Sequence, residues 1–119
     1  MKKNILLAVT GSIACSKAEL FIKQYGSLYN FKVLSTYSAL QFLSDEFKNN
    51  NQVLSDWDDL NGTPHIELAR WADIFVIYPA TANVIAKMAN GIADDLLTST
   101  TLCLDLEFIY VLQCMKKCI

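Results

Sequence analysis

The sequence predicts an α/β domain of three layers, α/β/α, on a parallel sheet. Three features carry that expectation. Short runs are apolar at nearly every position, as strands buried on both faces must be. Stripes with the helical period separate them. Small or hydroxyl-bearing residues sit where a strand hands over to a helix, at 10–12, 35–38 and 80–83.

Residues 4–9 (NILLAV) follow two lysines and read as a central parallel strand. Thr10-Gly11-Ser12 breaks the run. From Ile13 the apolar positions Ala14, Ala18, Phe21, Tyr25 and Leu28 recur every three or four residues, one face of a helix. A strand, a tight turn and a helix are half of a βαβ unit, and such a turn aims backbone N–H groups and a positive dipole end at an anion such as phosphate. The turn lacks the three-glycine dinucleotide fingerprint and the GxxxxGK[ST] loop. An ordinary βα turn with a serine cap therefore stands beside the phosphate reading.

Residues 31–34 (FKVL) suit a second strand, ending in Ser35-Thr36-Tyr37-Ser38. Those hydroxyls can cap a helix through 39–43 or bind phosphate oxygens. Residues 45–62 are polar and rich in Asn and Asp, so a loop with one short element is expected there, anchored by Val53, Leu54 and Trp57.

The stretch 63–98 holds the single histidine and both prolines. Thr63-Pro64 is a helix start, with a capping hydroxyl and a proline at the first helical position. His65 then lies in the first turn, where a satisfied surface residue and a catalyst are both open readings. Residues 74–78 (IFVIY) suit a buried strand that Pro79 ends. Ala80-Thr81-Ala82-Asn83 reads as a small, polar turn, in which Asn83 can bond its own backbone. A helical stripe of Ile85, Met88, Ala89 and Ile92 follows. The turn after such a strand lies at the carboxyl edge of the sheet, where α/β folds bind ligands. Trp71 and Met88 are assigned to packing. Gly91 suits a helix end, and Asp94-Asp95 the start of the next helix. From that helix Leu96, Leu97, Thr100 and Leu104 would face the core. Residues 108–112 (FIYVL) read as a last strand.

At 119 residues, with 53% hydrophobic and 18% charged residues, the chain suits a single domain, 1–119, able to bury a core. A net charge of −2 and a pI of about 5.2, without a basic cluster, argue against nucleic acid or a membrane surface as partner. The run 4–9 is too short for a signal or membrane segment, so a cytoplasmic protein is expected. The four cysteines form no CxxC pair, and with one histidine they make no convincing metal set.

Four segments together resemble a known family: AVTGSIA (8–14), TYSALQF (36–42), HIELARWAD (65–73) and PATANVIAKMANGIADDLLT (79–98). They are similar to the homo-oligomeric flavin-containing cysteine decarboxylases, and within these to the phosphopantothenoylcysteine decarboxylases of coenzyme A biosynthesis. The likeness spans most of residues 4–104. Peptidyl-cysteine decarboxylases of lantibiotic synthesis share the pattern. Flavin prenyltransferases share the fold and the TGSIA-like turn, but leave the histidine and the ADDLLT stretch unaccounted for.

The resemblance implies a flavodoxin-like (Rossmann-like) α/β/α domain that binds FMN at a trimer interface, in a homo-oligomer of one trimer or several. It implies flavin contacts at Gly11, Ser12 and Ile13, phosphate-contacting hydroxyls at Thr36 and Ser38, and a second flavin turn at Thr81, Ala82, Asn83 and Val84. His65 matches the catalytic histidine. The implied substrate is a small molecule ending in a cysteine moiety, oxidised by the flavin and then decarboxylated.

The sequence leaves the family pattern after about residue 105. Gln113, Cys114, Met115 and Lys116 stand over a Pro-Ala-Met-Asn motif whose asparagine contacts the substrate carboxylate, and only Met115 agrees. A lysine cannot accept a hydrogen bond as that amide does. The divergent segment 106–119 resembles a truncation or frameshift. FMN binding is therefore expected to survive better than turnover, which leaves an inactive, FMN-binding regulatory subunit as the alternative to an enzyme.

Overall fold

The computed structural model describes residues 2–11, 16–51, 53–55, 64–105 and 109–111. Five parallel strands form one sheet: β1 (Asn4–Val9), β2 (Asn30–Ser35), β3 (Val53–Leu54), β4 (Ile74–Ile77) and β5 (Ile109–Val111), in the order β3-β2-β1-β4-β5. Without the two-residue edge strand β3, the remaining four run in the order that begins the flavodoxin-like arrangement. With it, the order is that of the first five strands of the dinucleotide-binding fold. The apolar run of β1 predicts its central place. Ile5 through Val9 are all buried, and β1 pairs with β2 from Asn4↔Asn30 to Val9↔Ser35 and with β4 from Ile5↔Ile74 to Ala8↔Ile77.

Alternate residues of these strands build two cores. Ile5, Leu7, Val9, Val33 and Val76 face one way and pack with Ala18 of α1 (Ser16–Tyr25), with Ala39 and Leu43, and with Phe47 of α2 (Asp45–Asn50). Leu6, Ala8, Leu34, Phe75 and Ile77 face the other way. They pack against Leu68 of α3 (Pro64–Trp71), Val84 of α4 (Ala82–Ala89) and Leu96 and Leu97 of α5 (Leu96–Leu102). Helices that follow β1 and β2 therefore cover one face, and those that follow β3 and β4 cover the other. Right-handed crossovers require this when a sheet grows first toward one edge and then toward the other. The reversal falls between β1 and β4.

Several elements depart from the expectation. The polar stretch from residue 45 holds two elements: the helix α2, whose Ser44 Oγ accepts from Phe47 N–H at 3.1 Å, and the strand β3. One buried aromatic, Phe47, anchors α2, too little for a periodic signal. The segment after β2 folds as a 3₁₀ helix, Ser38–Phe42. Leu28 lies past the end of α1 and is 61% exposed, so the stripe on that helix stops at Tyr25. On α4 the deeply buried residue is Val84, while Ala89 and Ile92 are exposed. The strand read at 74–78 closes at Ile77, before a cis Tyr78–Pro79 peptide.

The caps follow the sequence. Asp95 and Thr98 form a reciprocal capping box at the start of α5, each side chain accepting from the other's backbone N–H (2.8 and 3.2 Å). Gly91, at φ +68°, terminates α4 in a Schellman arrangement. Ile92 N–H donates to Lys87 O at 2.9 Å and Gly91 N–H to Met88 O at 3.3 Å. As expected, Leu96, Leu97 and Thr100 are buried and Leu104 packs on the same core. Thr63, Trp57 and the cap expected of Thr63 lie outside the described residues, as do Phe108 and Leu112. Among the described residues no helix is long and apolar enough to cross a membrane.

Candidate functional site

At the reversal point the chains leaving β1 and β4 part to opposite faces, which opens a crevice at the carboxyl edge of the sheet. Thr10, the residue after β1, is fully buried there. Its Oγ1 donates to Pro79 O at 2.6 Å and accepts from Thr81 N–H at 2.8 Å, and its own N–H donates to Pro79 O at 3.3 Å. One hydroxyl thus fastens the turn after β4 to the turn after β1.

The turn after β2 joins from the other side. Thr36 N–H donates to Val9 O at 3.0 Å, continuing the sheet pairing one residue further. Thr36 Oγ1 accepts from Ala39 N–H at 3.2 Å and lies 3.3 Å from Ser38 Oγ. Thr36 thus closes a hydroxyl turn just ahead of the 3₁₀ helix, whose N-cap is Tyr37 and carries no side-chain cap bond. Gly11 sits directly against Ser38. A Cβ added at Gly11 would displace the exposed Ser38 Oγ and come within 3.1 Å of Ser38 Cβ, so glycine lets the two turns approach this closely.

These three turns and the first face of α4 enclose a cleft of about 470 Å³ lined by Gly11, Thr36, Tyr37, Ser38, Thr81, Asn83, Val84, Lys87 and Asp95. Thr81 is the N-cap of α4, its Oγ1 accepting from Val84 N–H at 3.3 Å. With Thr81 N–H held by Thr10 and Val84 N–H by Thr81, the amides of Ala82 and Asn83 are those left without an intrahelical acceptor. Ala82 and Asn83, read from sequence as turn residues, belong to the first turn of this helix. Of the cleft's ionic groups, Asp95 is committed to capping α5, while Lys87 Nζ pairs with Asp94 at 3.0 and 3.1 Å.

Of the residues singled out in the sequence, Gly11, Thr36, Ser38, Thr81, Asn83 and Val84 line this one cleft. Ala82 is exposed beside it. Ser12 and Ile13 lie outside the described residues, as do Gln113, Cys114, Met115 and Lys116. His65 is the second residue of α3, half-buried, and is not among the residues lining the cleft. The far end of α3 is fixed at the amino edge of the sheet, where Asn4 Nδ2 donates to Trp71 O at 3.0 Å and Asp73 N–H to Asn4 O at 2.9 Å. At about 1.5 Å per residue the helix carries His65 roughly 9 Å from there toward the carboxyl edge.

Sequence reasoning missed Thr10, Tyr37 and Lys87. Lys87 carried a faint signal, since it lies one turn beyond Asn83 at i+4 and so shares its face of α4. Tyr37 is 81% exposed on the lip, where no core pattern would mark it.

Comparison with known proteins agrees with this architecture. A "probable phosphopantothenoylcysteine decarboxylase" of Streptococcus mutans is 44% identical over 114 residues, covering 90% of this chain and 64% of that protein. The solved "PPC decarboxylase mutant C175S complexed with pantothenoylaminoethenethiol" superposes with a TM-score of 0.77 at 33% identity, covering 92% of this chain and 66% of that one. "The FMN binding protein AtHal3" gives a TM-score of 0.80 at 32% identity, covering 92% and 65%. The chain spans just under two thirds of the length of each of these proteins. The Flavoprotein family model matches residues 1–118, which, with the sheet order and the crevice at its reversal point, places the chain in the Flavoprotein family.

Proposed function

We propose that the cleft binds FMN and that the chain is a decarboxylase of the phosphopantothenoylcysteine type, acting on a small molecule that ends in a cysteine moiety. The observation that carries the reading is the junction of turns: Thr10 ties the turn after β4 to that after β1, and Gly11 leaves room at Ser38 beside them. The donor set suits the ligand. Hydroxyls of Thr36 and Ser38 together with an open glycine are appropriate to phosphate oxygens, and the free first-turn amides of α4 to a polar ring edge. The relatives' names supply the substrate class.

In this reading Gly11, Thr36 and Ser38 hold the phosphate end, and Ser12 and Ile13, outside the described residues, are assigned to flavin contact by the family resemblance alone. Thr81, Ala82, Asn83 and Val84 hold the ring. FMN, when bound, supplies a hydride acceptor for oxidation of the cysteine moiety before carbon dioxide leaves. His65 orients the substrate or moves a proton. The protein acts in the cytoplasm as a homo-oligomer, a trimer or several trimers, which light scattering on the purified protein checks.

Visible absorbance and bound-flavin analysis of the purified chain test the common element. A colourless protein that takes up no added FMN refutes the reading. Release of CO₂ from phosphopantothenoylcysteine then separates an enzyme from an FMN-binding regulatory subunit. His65→Asn should abolish that release and leave flavin bound, whereas unchanged turnover removes the histidine from the chemistry.

A further inference from the structure

Among the described residues that line the cleft, Lys87 is the only cation. It stands on α4 one turn beyond Asn83 and Val84, with its side chain 25% exposed, and Asp94 holds its ammonium through both carboxylate oxygens. The pairing is built into the backbone. The Schellman turn closed by Ile92 N–H on Lys87 O, with Gly91 in the left-handed region, folds the chain back so that Asp94 returns to Lys87. The hydroxyls of Thr36 and Ser38 lie beyond β2, and α4 beyond β4, so the two groups flank the end of β1 from opposite sides. The cation therefore belongs to the α4 wall of the cleft, the wall it shares with Asn83 and Val84.

We infer that Lys87, positioned by Asp94, sets the charge beside the ring-binding side of the cleft and thereby the preference of the protein for reduced over oxidised flavin. The inference rests on the flavin reading above. Two-electron reduction adds electron density, and at neutral pH commonly a negative charge, to the pyrimidine side of an isoalloxazine. A partly buried ammonium favours that form more than the neutral oxidised one, because field strength rises as water is excluded. Asp94, 55% exposed, offsets part of this while it fixes the ammonium in place.

The test compares the wild-type chain with Lys87→Met, Asp94→Asn and the double variant. Affinities for FMN, oxidised and anaerobically reduced, are measured by titration, and the two-electron midpoint by dye equilibration. Lys87→Met should lower the ratio of reduced to oxidised affinity about tenfold, a midpoint about 30 mV more negative. Asp94→Asn should move it the opposite way, and the double variant should fall between. If the wild-type chain binds no FMN, the flavin reading falls and this inference with it. If FMN binds but neither variant moves the midpoint, the inference alone is overturned. It is equally overturned if Lys87→Met weakens both redox forms of FMN alike while riboflavin binds as before, since the ammonium would then serve the phosphate.

Discussion

Replacing Thr10 with valine removes a hydroxyl and keeps the shape of the side chain. Among the described residues, two bonds are lost at a fully buried position, the 2.6 Å bond to Pro79 O and the 2.8 Å bond from Thr81 N–H. Pro79 O keeps a donor in the Thr10 backbone N–H, so that loss is an ordinary one of about 0.5–1.5 kcal/mol. Thr81 N–H loses its acceptor in a part-buried position, which costs roughly 1–3 kcal/mol. The sum is about 2–4 kcal/mol, which, at a urea dependence of about 1–3 kcal/mol per molar, lowers the midpoint by roughly 0.7–4 M. Thr10→Ser is the control. It keeps the hydroxyl and loses only a buried methyl, about 1 kcal/mol. Urea denaturation followed by circular dichroism should rank the wild type above the serine variant and the serine variant above valine. FMN titration of the folded fraction should show the valine variant at least about tenfold weaker than the serine one, about 1.4 kcal/mol. A valine variant as stable as the serine variant, with equal flavin affinity, refutes the claim that this hydroxyl joins the two turns.

Gly11→Ala places a methyl group against Ser38 and should cost about 1–3 kcal/mol of stability, with FMN affinity falling further than stability alone explains. Adding Ser38→Ala should restore part of the stability and none of the affinity, and thermal melts with flavin titration separate the two effects. Asp95→Ala removes the cap of α5 and should cost about 1 kcal/mol, while Asp95→Asn should cost less, as urea midpoints would show. A cost near zero for the alanine would mean that the capping box is replaced by solvent.

The layers of the fold were legible because burial on both faces leaves a continuous apolar signal. Residues 4–9 and 74–77 cannot satisfy a half-exposed pattern, and both prove to be neighbouring central strands. Start and stop chemistry was legible for the same local reason: Asp95 ahead of α5, Gly91 after α4 and Pro64 at the first position of α3 act within a few residues of themselves, while the answering bond of Thr98 to Asp95 N–H was not read. The helix α2 and the edge strand β3 were hidden. A six-residue helix has room for one buried side chain, and a two-residue strand for no alternation at all.

The cleft divides along the same line. Gly11, Thr36, Ser38 and Thr81 announce themselves as the small or hydroxylated residues that follow strands, and they meet because parallel strands deliver all such turns to one edge. What makes those turns one site is a contact with no local trace. Thr10 and Thr81 stand 71 residues apart, and neither carries a signal that it will bond the other. Only the β1–β4 register brings them together, and that register follows from the chain crossing beneath the sheet after β3. A buried threonine after a central strand is a weak mark in a sequence. Once the crossover puts a proline carbonyl and a helix N-cap beside it, its hydroxyl has both a donor and an acceptor to satisfy, and doing so fixes the distance between the two turns. A ligand long enough to touch both turns then meets a site whose spacing is set by the sheet itself, before any loop adjusts to it.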